Sequence, residues 1–155
     1  MARTRPGFPL ILLLLTAACS PGAGRGAPYT IGAAGPWQLG QGRTTRLGIE
    51  LALKEINDAG GVDGHKLLIK EADDGAEGSA AARVAQKFVD DRDVSAVVGH
   101  VTSAAMAAAA PVYDGHLAAV ATAAIAPDVA GNSKWVFSVS SSDSAAGAEL
   151  ARFAV

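Results

Sequence analysis

Short apolar segments alternate with longer segments of helical periodicity along most of this chain, and this alternation is the strongest constraint on its fold. The apolar segments predict five strands, at residues 29–35, 66–72, 94–99, 116–124 and 133–141. The segments between them predict helices, at residues 43–61, 79–91 and 102–111, with a further helix from residue 143. Strands and helices that alternate in this way predict an α/β fold with a parallel sheet covered on both faces.

The connections between these strands predict a doubly wound sheet. Right-handed crossovers favour the strand order 2-1-3-4-5, in which the direction of winding reverses between the first and third strands. Ligands of such sheets bind beyond the carboxyl ends of the strands, near this reversal. The loops expected there are residues 36–42 and 100–103. Trp37, in the first loop, either stacks on a ligand or packs beneath the loop as core.

Residues 94–115 place a buried strand directly before an alanine-rich helix. Thr102 and Ser103 stand where the helix N-cap belongs, beside backbone N–H groups that lack intrahelical partners. These N–H groups and the helix dipole favour an anion. The two hydroxyls therefore either cap the helix alone or also contact a ligand, and the pattern leaves both interpretations open.

The first residues predict export and a lipid anchor. Residues 1–18 contain two arginines, an apolar run too short for a permanent membrane helix, and small residues before Cys19. The segment Thr-Ala-Ala-Cys resembles a bacterial lipobox, which implies lipidation of Cys19; an ordinary secretory signal with a free thiol is the alternative. Residues 19–28 are rich in glycine and proline and predict a flexible tether. We therefore expect a protein anchored by lipid on the extracytoplasmic face of the cell membrane.

Several function classes find no support in the sequence. The net charge of −2 and the lack of a basic stripe argue against nucleic acid binding. His65, His100 and His116 lack the spacing of metal ligands, and no phosphate-loop motif is present, so neither a metal nor a cofactor is expected. We interpret His100 as a loop histidine whose ring binds loop carbonyls.

An enzyme is also not expected. Asp73 and Asp74 end a predicted strand, where adjacent side chains point to opposite faces, so they more simply end the strand or cap the next helix. Ser103 lacks the glycine flanks of a hydrolase nucleophile. Asp143 is interpreted as the N-cap of the last helix.

Five segments together resemble a known family. They are IGAAGPWQLGQG, GIELALKEINDAGGVDGHKLLIKEADD, VSAVVGHVTSA, VATAAIAPDVAG and FSVSSSDSAAGAELARF. They are similar to the type I periplasmic binding proteins, in the branched-chain amino-acid (Leu/Ile/Val) receptor family of ABC importers. The resemblance covers about residues 29–155 and implies the N-terminal lobe of a two-lobed clamshell that closes on a small polar ligand. The chain ends within a predicted helix, so we expect a truncated lobe.

The resemblance also implies roles for individual residues. Ser103 falls on a serine that grips the α-carboxylate of the ligand, with Thr102 beside it. Ala123 falls where a backbone carbonyl accepts a hydrogen bond from the ligand ammonium. Ile125 replaces a threonine common in amino-acid receptors, and Gln41 falls near an aromatic position of the first loop.

The leading hypothesis is therefore an extracytoplasmic solute-binding protein that captures an amino acid, amide or short organic acid and delivers it to the permease of an ABC importer. A ligand-binding sensor domain at the cell surface and a truncated fragment that cannot bind are the alternatives.

Overall fold

The computed structural model describes residues 26–131 and 133–154. Within them, five strands form the sheet: β1 (Tyr29–Gly35), β2 (Leu67–Asp73), β3 (Val94–Val98), β4 (Ala119–Ala121) and β5 (Val136–Ser138). Five helices accompany them: α1 (Gly40–Asp58), α2 (Gly78–Asp90), α3 (Ser103–Tyr113), α4 (Asp128–Gly131) and α5 (Asp143–Phe153). The predicted export segment, Cys19 and most of the predicted tether lie outside the described residues. None of the helices in the described part is long and apolar enough to cross a membrane.

The sheet has the order β2-β1-β3-β4-β5, and every neighbouring pair is parallel. This confirms the α/β fold and the strand order predicted from the sequence. The strand β1 lies between β2 and β3, and Ala33 of β1 pairs with Val98 of β3. The carboxyl ends of β1 and β3 are therefore adjacent, at the point where the winding reverses.

The helix α1 begins earlier than the sequence indicates. Residues 40–42 were expected in the loop, but they form its first turn, with Leu39 as the N-cap residue. Gly42 is buried, and a Cβ atom there would overlap the carbonyl oxygen of Pro36. Glycine at this position lets the first turn of α1 lie directly on the preceding loop.

Other element boundaries also differ from the prediction. The helix α3 does not end at Pro111 but continues to Tyr113, whose side chain is fully buried. The strands β4 and β5 contain only three residues each, and the short helix α4 between them was not predicted. Packing of Tyr113 outweighs the cost of a proline that cannot donate a helical hydrogen bond.

The larger core lies between one face of the sheet and the helices α2 and α3. From α2 it contains residues at helical spacing, namely Ala81, Val84, Ala85 and Phe88. From α3 it contains Ala105, Met106, Ala109, Ala110 and Tyr113. Small alanine side chains let the two helices approach each other and the sheet closely. Ala81 is the fully buried alanine at the start of α2.

The opposite face of the sheet is only partly covered within this chain. Ala33, Trp37 and Val101 form a small core there, against which Ile49 of α1 packs. Leu47 and Leu51 of α1 are 65% and 58% exposed. The apolar spacing of this helix shows which residues share a face and not whether a partner covers that face.

Candidate functional site

The candidate site lies at the carboxyl edge of the sheet, where three loops meet. Residues 36–39 follow β1, residues 99–102 follow β3, and residues 122–127 follow β4. Because these strands are neighbours in the order 1-3-4, their loops emerge side by side. The edge thus assembles residues that are distant in the sequence.

A close approach at Gly99 sets the direction of the loop after β3. Its φ angle of 110° is unfavourable for other residues, and a Cβ atom there would overlap the carbonyl oxygen of Ala34. The N–H of Gly99 donates to the carbonyl of Val120, 2.9 Å away. The chain therefore leaves β3 in contact with both neighbouring strands.

Thr102 is the N-cap of α3. Its backbone is extended, its Oγ1 accepts a hydrogen bond from the N–H of Ala105 at 3.3 Å, and its carbonyl accepts one from Met106 at 2.9 Å. The capping role predicted for Thr102 is confirmed. The first two N–H groups of α3, those of Ser103 and Ala104, have no hydrogen-bond partner among the described residues.

Ser103 bridges α3 to the loop after β4. Its Oγ accepts two hydrogen bonds, from the N–H of Ile125 at 3.1 Å and from the N–H of Ala126 at 3.2 Å. A serine hydroxyl has two lone pairs and one hydrogen. With both lone pairs engaged, the hydroxyl retains one O–H group that can only donate.

The loop after β4 also contains a carbonyl without a hydrogen-bond partner among the described residues. The carbonyls of Thr122 and Ala124 lie 3.5 Å from the hydroxyls of Ser140 and Ser138, respectively. The carbonyl of Ala123 between them accepts no hydrogen bond from the described residues. The side chain of Ile125 is 39% exposed.

Trp37 and Gln41 occupy different environments. Trp37 is only 6% exposed and packs with Val101 in the small core, while Ala123 packs against the same cluster. The indole Nε1 of Trp37 is buried and has no hydrogen-bond partner in the described part of the chain. Gln41 is exposed in the first turn of α1. The structure therefore joins Ser103 and Ile125 in one hydrogen-bonded unit, with Thr102 next to Ser103 in the sequence as the cap of α3. Gln41 makes no side-chain hydrogen bond to this unit among the described residues.

A buried polar network lies beneath this unit. His100 is fully buried, with its Nδ1 2.5 Å from Oδ2 of Asp74 and its Nε2 3.0 Å from the hydroxyl of Tyr113. The other carboxylate oxygen of Asp74 accepts a hydrogen bond from the N–H of Ala76 at 2.9 Å. Burial, together with the charge of Asp74, raises the pKa of Tyr113 well above its usual range.

This network corrects two interpretations drawn from the sequence. His100 binds side chains and not loop carbonyls. Asp74 does not cap α2, whose N-cap residue is Glu77 and lacks a side-chain cap. The side chains of Asp73 and Asp74 do diverge as predicted, since Asp73 is exposed and Asp74 is buried. The sequence places Asp74 and His100 just after two predicted strands, at the carboxyl edge of the sheet. It does not indicate that they are in contact, because β1 lies between β2 and β3.

The serine-rich segment after β5 also differs in detail from the prediction. Ser142, rather than Asp143, is the N-cap of α5, and its Oγ accepts a hydrogen bond from the N–H of Ala145 at 3.3 Å. Asp143 occupies the first turn, and its N–H donates to the carbonyl of Ile125 at 2.9 Å. This bond ties the start of α5 to the loop that carries the candidate site.

No group of three or more His, Cys, Asp or Glu side chains is placed to hold a metal ion among residues 26–131 and 133–154.

Comparison with known proteins identifies the family. A family profile described as "Periplasmic binding protein" matches residues 29–155. The chain belongs to this family. The match confirms the resemblance seen in the sequence and includes the loops of the carboxyl edge.

Curated relatives and solved structures agree with this membership. The chain is 38% identical over 91 residues to an amino acid binding protein of Pseudomonas aeruginosa, and 40% identical over 72 residues to Leu/Ile/Val-binding protein homolog 1 of Brucella abortus. These alignments cover 57% and 46% of this chain. An ABC transporter substrate-binding protein of Desulfitobacterium hafniense, solved in complex with Leu, matches 83% of the chain with a TM-score of 0.76 and 35% identity.

The chain spans well under half the length of these relatives. The alignments cover 24% of the Pseudomonas protein, 19% of the Brucella protein and 38% of the Desulfitobacterium chain. This partial coverage fits an N-terminal lobe of a periplasmic binding protein.

Proposed function

We propose that this chain provides one wall of the ligand site in an extracytoplasmic solute-binding protein that captures a small amino acid. The observation that carries the proposal is the hydroxyl of Ser103. Because Ile125 and Ala126 engage both of its lone pairs, the remaining O–H group selects a hydrogen-bond acceptor.

A carboxylate is the acceptor that best fits this environment. The unpartnered N–H groups of Ser103 and Ala104 lie at the N-terminus of α3, where the helix dipole favours negative charge. Hydrogen bonds to an ionised acceptor are typically about twice as strong as those between neutral groups. The hydroxyl and the two N–H groups thus form a set of donors suited to a carboxylate.

The loop after β4 supplies complementary groups for the rest of an amino acid. The free carbonyl of Ala123 is an acceptor for an ammonium group. The half-exposed side chain of Ile125 offers an apolar surface, although it lacks the hydroxyl of a threonine at this position. An apolar amino acid such as leucine is therefore the first ligand to test, and the Desulfitobacterium relative was solved with Leu.

The same geometry favours binding over catalysis. A nucleophilic serine needs a base that accepts its proton. The Oγ of Ser103 instead accepts hydrogen bonds from two N–H groups. Both ring nitrogens of the fully buried His100 are already bonded, to Asp74 and Tyr113. We therefore propose that the protein is not an enzyme.

Transport and anchoring complete the proposal. The relatives include substrate-binding proteins of ABC transporters, which supports delivery of the ligand to an ABC permease. The sequence supports an export signal at residues 1–18, lipidation of Cys19 and a tether to residue 28, followed by the N-terminal lobe at residues 29–155. Such a protein would lie on the extracytoplasmic face of the membrane.

A panel titration tests this function. The full-length protein is titrated by calorimetry with L-leucine, L-isoleucine, L-valine and short organic acids, in parallel with Ser103→Ala and Ser79→Ala. Ser79 is an exposed serine in the first turn of α2, which makes it a matched control. We expect binding of at least one apolar amino acid, weakened about tenfold or more by Ser103→Ala and unchanged by Ser79→Ala. Binding that survives Ser103→Ala unchanged, or no binding of any amino acid, would refute the proposal.

A further inference from the structure

The network of Asp74, His100 and Tyr113 joins three elements around the candidate site. Asp74 directly follows β2, His100 lies in the loop after β3, and Tyr113 is the last residue of α3. Their side chains are at most 1% exposed, so they are shielded from bulk solvent. His100 precedes Ser103 by three residues, while Tyr113 stands at the opposite end of the same helix.

The hydrogen atoms in this network can be assigned from its chemistry. Burial raises the pKa of Tyr113, so its phenol keeps its proton and can donate it to Nε2 of His100. The Nδ1–H of His100 then donates to Asp74, whose second oxygen accepts from Ala76. With a neutral imidazole every polar group in the network has a partner, which is the arrangement that fixes a buried network in one geometry.

We propose that Asp74, His100 and Tyr113 are positioning residues, which hold the loop of Ser103 in the geometry that grips a ligand carboxylate. The hydrogen bond between His100 and Tyr113 joins the loop before α3 to the last residue of this helix. The bond between His100 and Asp74 joins the same loop to the end of β2. A shift of His100 in the loop between β3 and α3 would break one or both of these bonds. This inference rests on the proposed function, because the ligand contact is the one made by Ser103.

A purely structural network would behave differently. It would lower the stability of the whole domain when it is broken, and it would leave the geometry at Ser103 unchanged in the molecules that stay folded. Breaking a positioning network would instead weaken the hydrogen bonds that the hydroxyls of Thr102 and Ser103 accept. Their donors are the N–H groups of Ala105, Ile125 and Ala126. The local behaviour of these groups separates the two roles.

Tyr113→Phe is the most suitable variant, because it removes one hydroxyl and keeps the buried ring. Tyr29→Phe is the matched control, since Tyr29 is 37% exposed at the start of β1. In the full-length protein we expect Tyr113→Phe to speed amide exchange about tenfold at Ala105, Ile125 and Ala126. The amides of the β1–β2 pair should keep their wild-type rates in both variants. A uniform increase throughout the sheet, or no change at the Ser103 loop, would overturn the proposal.

An affinity cycle gives the second test. The dissociation constant for L-leucine is measured in the wild type, Tyr113→Phe, Ser103→Ala and the double variant. We expect Tyr113→Phe to weaken binding about tenfold when Ser103 is present and to have no further effect when it is absent. Equal effects in both backgrounds would overturn the proposal. If the wild type binds no amino acid, the proposed function fails, while the exchange comparison still decides whether the network positions the loop.

Variants of His100 resolve the two halves of the network. His100→Asn can keep the bond to Asp74, and His100→Gln can keep the bond to Tyr113. We expect each variant to retain part of the protection from amide exchange at Ala105, Ile125 and Ala126 that His100→Ala loses. Equal loss in all three variants would show that the bonds themselves do not position the loop.

Discussion

The hydroxyl oxygen of Ser103 lies 3.1 Å from the amide nitrogen of Ile125 and accepts a hydrogen bond from it. This bond joins the N-terminus of α3 to the loop after β4, across 22 positions of the sequence. It also turns the serine hydroxyl into a donor with a single free hydrogen, because Ala126 occupies the second lone pair. The side chain of Ser103 does not cap α3, and its hydroxyl hydrogen is available to a ligand.

Thr102, in contrast, performs the capping. Thr102→Ala removes the acceptor for the N–H of Ala105 and should lower the free energy of unfolding by about 1 kcal/mol. Thr102→Ser keeps the hydroxyl and should stay close to the wild type. Urea unfolding of the three proteins checks this, and equal stability of the alanine and serine variants would contradict the assigned cap.

Gly42 and Gly40 provide a paired test of the contact between α1 and the first loop. A Cβ atom at Gly42 would overlap the carbonyl of Pro36, whereas one at Gly40 meets no atom within 4 Å. Gly42→Ala should therefore lower the free energy of unfolding by about 1–3 kcal/mol. Gly40→Ala should leave it unchanged or raise it by up to about 1 kcal/mol. Thermal unfolding that ranks the two variants equally would contradict the close packing at Gly42.

Asn57 links the end of α1 to the start of β2. Its Nδ2 donates to the carbonyl of Leu67 at 2.9 Å, and its Oδ1 accepts from the N–H of Leu67 at 2.8 Å. Asn57→Ala removes both bonds and should cost about 1–3 kcal/mol of unfolding free energy. Asn57→Asp should also destabilise, because a carboxylate cannot donate to Leu67.

Gln86→Ala is the matched control for the two Asn57 variants, because it removes an amide that bonds Asp90 on the exposed face of α2. Its effect in urea unfolding should stay within about 0.5 kcal/mol. If Asn57→Ala is no more destabilising than Gln86→Ala, the link between α1 and β2 does not stabilise the fold.

Tyr113 predicts a decline of stability at alkaline pH. Burial raises its pKa in the folded protein above the ordinary value of 10.0, so the unfolded chain releases this proton first. Above about pH 10 the unfolded state binds fewer protons than the folded state, and the free energy of unfolding falls as the pH rises.

Urea unfolding between pH 8 and 11 measures this slope. Tyr113→Phe should flatten it relative to the wild type, while Tyr29→Phe should keep the decline, because Tyr113 is still present. A slope that is identical in the wild type and Tyr113→Phe would show that the buried phenol does not contribute.

The parts of the fold that the sequence predicts are those with local causes. The alternation of strands and helices predicts the parallel sheet, and the hydroxyl residues Thr102 and Ser103 before an alanine-rich helix predict the N-cap. Both follow from periodicity and from backbone groups that need partners within a few residues.

The remaining parts depend on contacts between distant segments. The pairing of His100 with Asp74 spans 26 positions, and its two partners approach only after β2 and β3 have packed on either side of β1. The continuation of α3 beyond Pro111 depends on the burial of Tyr113 in the core. Local propensity describes neither effect, because each arises from packing that the sequence pattern does not specify.

The affinity cycle between Ser103 and the ligand carboxylate is the most direct test of the proposed site. Wild type and Ser103→Ala are each titrated by calorimetry with L-leucine and with L-leucinamide, which lacks the carboxylate. The predicted result is that Ser103→Ala weakens L-leucine by about 10- to 100-fold, as expected for a hydrogen bond to a charged group. It should weaken L-leucinamide by a clearly smaller factor, about 2- to 10-fold, because the neutral amide oxygen remains an acceptor but forms a weaker bond. Equal weakening of both ligands, or of neither, would contradict a hydrogen bond from Ser103 to the carboxylate.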